Sequence, residues 1–548
     1  MSDNKLKIIP LGGTTTVQKN MYVYEYGNDI IVMDCGVGFP DIYTPGVDII
    51  IPDFQYILDR REKVRGIVIT HGHDDHRSSV PYLLKEYKFN VYAVPFVKAL
   101  LETAMAEFTN INTDSLISFN PDTDILQLGV FRLHPYRVNH SIPDTLGFAI
   151  DSPAGRVFHN TDYKFDWSPV MDKPFDVQKA AKLASEPANG VLALLSDCLG
   201  STTEGYSTTE RIILDTFEEI LANSIGKQVF ITTLSSNISR IQQAIEASLM
   251  FGRKIVLSGR SIRETMKVAR EMNYIDFPED IFVDERMAYK EDQSVLTYII
   301  TGSYAQPGSG LVRLALGEHK TIQLQKDAVV IFSADPIPNS ITAVNMIIDE
   351  LYLKGAEVYY SEIQDNLHVS GHGLKGDQKL LANIVKPKYF VPIGGNVKHM
   401  RAYSEMMQEM GIEENRIFQL LDGQIVEFEN GQAKLGEQIK LKDVYVDGTI
   451  VGDVGTMVIQ DRLQMSSNGM VVVTITGGTV GVVTRGFVFV KESRDLISKA
   501  ENVVKKSISS QSNRNLKKNQ LEKLVSRDLS KFFQKETGRD PLVVVSIA

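Results

Sequence analysis

Only two cysteines, no long hydrophobic run and no excess of positive charge mark this 548-residue chain. Each shortage removes a class of protein. Cys35 and Cys198 both lie in apolar stretches, so a disulfide scaffold is excluded and reduced core thiols are expected. No apolar run approaches the roughly 18 residues of a membrane span, and Met1-Ser2-Asp3-Asn4-Lys5 lacks the apolar core of a signal peptide. A cytoplasmic protein away from membranes is expected. With 58 Lys and Arg against 68 Asp and Glu, the net charge of -10 argues against general nucleic-acid binding, because phosphate contacts need clustered cations. A local basic channel stays open. From Lys491 onward there are 13 basic and 7 acidic residues, a balance that a solvated helical surface explains as well as a nucleic-acid contact does.

The length exceeds one hydrophobic core and suggests about three domains. No repeat or low-complexity segment is evident. The densest chemistry is Ile67-Val68-Ile69-Thr70-His71-Gly72-His73-Asp74-Asp75-His76, where an apolar β-branched run ends in three histidines and two aspartates. This reads as a buried strand delivering polar groups to a loop. Imidazoles and carboxylates suit zinc, and His71 and His73, one residue apart, can converge on one ion from a turn. Asp75 and His76 then face a second ion close by.

Residues 5 to 35 alternate apolar and polar side chains around Gly27-Asn28-Asp29, which predicts a hairpin. Strands and helices alternate thereafter, as in layered sheets covered by helices. Strand-like residues 130 to 138 lead to Asn139-His140, another strand ends at Asp162, and a third ends at Asp197. His159 falls inside a strand and reads as structural. From about 206 to 351 the strand and helix pattern predicts a parallel sheet with polar loops at Ser235-Ser236-Asn237, Gly259-Arg260-Ser261 and Ala334 to Pro338. His368-Val369-Ser370-Gly371-His372-Gly373 is a glycine-containing loop that can bring backbone amides close to a phosphate. Beyond about 450, strands over 470–473, 486–490 and 541–545 and helices over 493–508 and 519–534 predict a small α+β module.

Thr-His-Gly-His-Asp-Asp-His resembles the His-x-His-x-Asp-His signature of the metallo-β-lactamase superfamily. Leu11-Gly12-Gly13, Lys19-Asn20-Met21, Asp34-Cys35-Gly36, Phe39-Pro40-Asp41 and the stretch from Gly46 to Phe54 are similar to the opening of ribonuclease J. The resemblance implies an α/β protein: a metallo-β-lactamase αββα sandwich over 1–205 and 352–449, an inserted β-CASP domain over 206–351, and an α+β domain over 450–548. It implies His71, His73, Asp75, His76, His140 and Asp162 as metal ligands, with Asp162 bridging two zinc ions and magnesium or manganese as alternatives. Asp75 and His372 take catalytic roles, His372 as general acid, and Asp197 orients a metal ligand. The loop from His368 through Val369, Ser370 and Gly371 to His372 binds substrate. Single-stranded RNA is the implied partner, trimmed from its 5′ end and cut internally. The C-terminal domain is implied in homodimer or homotetramer formation, with a paralogous ribonuclease as another partner.

The pattern breaks near the same centre. After Lys386-Pro387-Lys388 the family carries a ligand histidine followed by Gly-Glu, whereas this chain reads Gly394-Gly395-Asn396. His399 lies five residues on and would need a different loop path to replace that histidine. Further departures are Thr14-Thr15-Thr16-Val17-Gln18, Arg77-Ser78, Thr161 and Tyr304-Ala305-Gln306-Pro307. Core motifs match while the loops of the centre drift, so a second ion with fewer ligands and an attenuated enzyme are expected. The rival expectation is a weakly active or inactive RNA-binding paralogue that scaffolds an active nuclease. Hydrolysis of a small thioester or lactam fits the first 200 residues but leaves the insert and the 368–372 loop unexplained.

Overall fold

A computed structural model describes residues 5–109, 111–336, 340–448, 450–452, 454–488, 493–509 and 517–547. Two sheets carry the first and third parts of the chain. One runs in spatial order Gln432–Gln438, Gln424–Glu429, Leu6–Gly12, Met21–Tyr26, Asp29–Met33, Val64–Val68, Val91–Ala93 and Leu116–Ser118. The other runs Tyr389–Ile393, Ala193–Asp197, Gly155–Asn160, Leu146–Ser152, Phe131–Arg137 and Leu126–Leu128. Tyr24 Oη of the first sheet is hydrogen-bonded to His159 Nδ1 of the second at 2.9 Å, and both residues are fully buried. The two inner faces therefore meet, and His159 is the structural histidine that its strand position predicts. Helices Val177–Ser185, Lys375–Val385 and Val397–Glu409 cover the second sheet through a continuous apolar core that includes Leu183, Leu381 and Met400. This is the αββα sandwich expected from the sequence.

The inserted domain has a five-stranded, wholly parallel sheet in the order Lys254–Ser258, Leu296–Ile300, Val229–Thr232, Val329–Phe332 and Glu357–Tyr359. Near-continuous apolar strands such as Val229-Phe230-Ile231 suit a sheet buried on both faces. One apolar core joins this domain to Phe96, Leu100 and Ile142 of the sandwich. Ile142 lies two residues after His140, so the insert packs against the loop that carries this histidine. Of the expected loop at Ala334 to Pro338, Ile337 and Pro338 lie outside the described residues.

Residues 1–38 and 51–443 form one compact unit, and 39–50 with 444–548 form a second. The segment 39–50, read with the first domain from sequence order, is thus a part of the second unit. Asp48 N–H donates to Val446 O at 2.9 Å, Gly448 N–H donates to the Asp48 carboxylate at 2.7 Å, and Val47 packs with Val454 and Ile459. In the same unit, Met470–Thr476 pairs antiparallel with Thr479–Arg485 and parallel with Leu542–Ile547. Helices Arg494–Ser509 and Lys518–Thr537 pack on these strands. The strand expected over 486–490 is displaced. Gly477 and Gly478, at φ 54° and 86°, form a two-residue hairpin turn that places the second strand earlier. Gly486, Phe487 and Val488 are bends, while Phe489 and Val490 lie outside the described residues.

Candidate metal centre

Strands Asp29–Met33 and Val64–Val68 lie side by side and parallel, so Asp34 and Thr70 leave the sheet together. Asp34, at φ 62°, accepts hydrogen bonds from Thr70 N–H at 2.7 Å and from the Thr70 hydroxyl at 2.9 Å. Its Oδ2 also lies 2.8 Å from His76 Nδ1. Thr70 has then given its one hydroxyl proton to Asp34, so its oxygen accepts from His71 Nδ1–H at 3.0 Å. His71 Nε2 is left as a bare lone pair. The same logic applies to His140, whose Nδ1 can only donate to the Gly371 carbonyl at 2.6 Å, which frees Nε2.

These free nitrogens converge. His140 Nε2 lies 3.3 Å from Asp162 Oδ2 and 3.0 Å from His73 Nδ1, and His71 Nε2 lies 3.7 Å from the same carboxylate oxygen. One ligand-type atom from each of His71, His73, His140 and Asp162 lies within 4.8 Å of all the others. Burial pushes His71 and His140 well below the ordinary histidine range and His73 down to about 3. Neutral imidazole is the ligand form, and the buried Nε2 atom of His71, which faces Asp162, has no hydrogen-bond partner. The residues present therefore fit a zinc-type ion.

On its other side Asp162 Oδ1 lies 3.4 Å from His76 Nε2, and Asp75 Oδ2 lies 3.7 Å from that nitrogen. Asn20 Nδ2 approaches the same nitrogen at 3.0 Å. Asp162, Asp197 and His372 make a second convergent set, with His372 Nε2 3.9 Å from Asp162 Oδ2 and His372 Nδ1 2.7 Å from Asp197 Oδ2. Burial raises Asp75 to about 6. Burial by itself lowers His372, but the Asp197 and Asp162 carboxylates outweigh it and carry this histidine to about 9. A Cβ on Gly394 would stand 3.4 Å from Asp197 Oδ1 and 3.9 Å from Asp162 Oδ1. The position faces both carboxylates and has no side chain to offer them. His399 does not fill the gap: its Nδ1 accepts Asn396 N–H at 3.2 Å and caps helix Val397–Glu409.

The 368–372 loop meets this centre directly, through Gly371 O on His140 and His372 on Asp197. Ser370 Oγ accepts His372 N–H at 3.0 Å, which shapes the turn, while Val369 is buried in the core shared with the insert. His368 carries a buried, unpartnered Nδ1 and is pushed down to about 4 by burial and by the Arg240 charge. Three contributors escape a search for ligand-type clusters in the sequence: Asp34, Thr70 and Asn20. The available signal for Asp34 is a carboxylate directly after the buried apolar run Ile30-Ile31-Val32-Met33. The divergent loop residues are built into the frame, since the Thr161 hydroxyl donates to Thr70 Oγ1 at 3.1 Å and the Thr14 hydroxyl to Asp422 at 2.7 Å.

Among the described residues, no helix is long and apolar enough to cross a membrane. Family models match along the chain: the metallo-beta-lactamase superfamily over 14–161, the ribonuclease J beta-CASP domain over 226–351, the Zn-dependent metallo-hydrolase RNA specificity domain over 355–417, and the ribonuclease J C-terminal domain over 457–548. A crystal structure of a protein of unknown function from Enterococcus faecalis shares the fold, with a TM-score of 0.54 at 13% identity over 79% of this chain and 100% of that one. Ribonuclease J 1 of Streptococcus pyogenes is 32% identical over 99% of this chain and 98% of its own length. Ribonuclease J2 of Bacillus subtilis is 31% identical over 98% of each chain, and ribonuclease J of Thermus thermophilus is 33% identical over 98% of this chain and 94% of its own. With this similarity along nearly its whole length and a metal-type centre in a metallo-β-lactamase sandwich, the chain belongs to the ribonuclease J family.

Proposed function

We propose that this chain is a metal-dependent ribonuclease that degrades single-stranded RNA, working from the 5′ end and cutting internally, in RNA maturation and decay. The observation that carries this reading is the convergence of three neutral imidazoles on Asp162 beside His372, which is held by Asp197 and charged at neutral pH. A zinc ion bound by His71, His73, His140 and Asp162 would supply Lewis acidity and acidify water from pKa 15.7 to about 7. Magnesium or manganese is the alternative ion, and a second ion would rest on Asp75, His76 and Asp162.

Asp75, with its carboxyl raised to about 6, is suited to receive the proton of an attacking water. The water oxygen bonds to phosphorus as the bond from phosphorus to the departing RNA oxygen breaks, and His372 gives that oxygen its proton. Asp197 accepts from His372 Nδ1–H at 2.7 Å and so keeps Nε2 aimed at the centre. His368, Val369, Ser370 and Gly371 bring the loop against the substrate phosphate. We assign the centre to 1–205 with 352–449, apart from segment 39–50, which packs in the second unit, and strand Glu357–Tyr359, which extends the sheet of the insert. We assign the RNA clamp to 206–351 and assembly as a homodimer or homotetramer to 450–548, in the cytoplasm.

Gly394 favours a second reading, a weakly active or inactive paralogue that binds RNA and scaffolds an active nuclease. Degradation of a 5′-monophosphorylated single-stranded RNA with added zinc, magnesium or manganese, beside a His73→Ala control, decides between the two. Loss of RNA with the wild type alone supports the enzyme, and product lengths give its direction. Equal inertness of both proteins with RNA binding retained replaces it with the scaffold.

A further inference from the structure

Among the described residues, the largest side chain buried without exposure is Arg240, in the first turn of helix Ile238–Met250 of the insert. Its guanidinium reaches three distant segments. Nε donates to Glu210 Oε1 at 2.8 Å, and Nη2 lies 2.6 Å from the same oxygen. Nη1 donates to Ser333 O at 2.8 Å, Ser333 Oγ at 2.9 Å and Leu367 O at 3.2 Å. The Ser333 hydroxyl in turn donates to Leu367 O at 2.6 Å. Glu210 lies where the chain passes into the insert, Ser333 follows strand Val329–Phe332, and Leu367 immediately precedes the 368–372 loop.

Glu210 continues the connection toward the metal-type residues. Its N–H donates to Asp166 Oδ2 at 2.9 Å, and Lys164 Nζ lies 3.6 Å from Asp166 and 3.9 Å from Glu210. Lys164 N–H donates to Asn139 O at 2.8 Å and Asp166 N–H to Asn139 Oδ1 at 3.3 Å. Asn139 precedes His140, and Lys164 follows Asp162 by two residues. The four charged residues are at most 5% exposed and balance in sign. Taking four ions out of water carries a desolvation penalty that apolar packing would avoid, whereas fixed donors and acceptors supply direction.

We propose that Arg240 is a positioning residue: the buried Lys164–Asp166–Glu210–Arg240 cluster holds the insert and the 366–373 loop in register with the loops of His140 and Asp162. Only the RNA readout below rests on the ribonuclease reading. The full-length chain is tested as Arg240→Lys, as the charge-balanced pair Glu210→Gln with Arg240→Met, and as Ser333→Ala, which removes a link without removing a charge. For each, the Kd for a fluorescent 5′-monophosphorylated single-stranded RNA, amide exchange over 364–373 and bound zinc per chain are measured.

The expected result for Arg240→Lys and for the pair is an RNA Kd raised about tenfold, with faster exchange over 364–373 and unchanged zinc. Unchanged Kd and exchange overturn the proposal, as does a parallel loss of zinc and RNA binding, which marks general unfolding. Should both Arg240 variants fail to fold, Ser333→Ala decides: faster exchange over 364–373 supports the link, and unchanged exchange overturns it. A wild type that binds no RNA sinks the ribonuclease reading alone, because the exchange comparison still tests the cluster.

Discussion

On one side of Asp162 stand the neutral His71, His73 and His140, the first buried and the others half-buried, two of them held from behind by Thr70 and by the Gly371 carbonyl. On the other stand Asp75, His76, Asp197 and His372, where His372 is hydrogen-bonded to Asp197 and His76 to Asp34, with Gly394 at the position that faces both Asp162 and Asp197. One carboxylate serves both sides, yet only the first presents a complete set of bare nitrogens. The difference teaches that a ligand site is made by what holds each imidazole as much as by the imidazole itself. Where the rear nitrogen meets a hydroxyl or carbonyl oxygen, the front nitrogen is free; where the ring is flanked by carboxylates, as His372 is by Asp197 and Asp162, its proton is held.

The largest expected effect breaks the complete side. His73→Ala should lower RNA cleavage more than about 100-fold and lower the bound metal measured by elemental analysis. Retained metal and activity would make the two sides equivalent. His372→Ala should cost about 100-fold in kcat with metal retained. The pH profile sharpens this prediction: because His372 is raised to about 9, its proton is present at neutral pH and lost as pH rises through that value. The wild type should therefore show an alkaline limb of kcat above the ordinary histidine range, absent from His372→Ala.

Asp34→Asn touches both sides, through Thr70 and His71 on one and His76 on the other, and should reduce metal affinity or activity about 10 to 100-fold. A metal titration in which the wild-type and variant curves superimpose would mean that Asp34 does not set the imidazoles of either side. Gly394→His attempts to repair the incomplete side and should raise both metal stoichiometry and cleavage, the latter about tenfold. It also places a side chain at φ 68°, where left-handed backbone costs about 1–2 kcal/mol. A gain in activity with a slightly lower melting temperature is expected. No gain in either metal or cleavage would mean that the second side lacks nothing at this position.

The strand-to-loop stretch from Ile67 to His76 was legible because an apolar run that ends in closely spaced imidazoles and carboxylates is rarely built for anything but a metal. His140 and Asp162 were legible through family resemblance, since a lone histidine or aspartate at a strand end is unremarkable. Asp34 and Thr70 were not, because their hydrogen bonds join segments that meet only when two parallel strands align. Arg240 reads as one more helix cation until Glu210, Ser333 and Leu367 close around it. Chain order does not show that Val47 packs with Val454 and Ile459, a contact across some four hundred residues of chain.

The sequence by itself determined the alternation that builds two sheets and an insert, the identity of the ligand-type side chains and the absence of one at Gly394. These are local properties of residue type and period. Tertiary structure alone decided which ring nitrogen is free, which histidine carries a proton and how the insert is tied to the centre. A tautomer follows from the partner behind the ring and a charge from the field around it, and here both come from segments remote in sequence and brought together by folding.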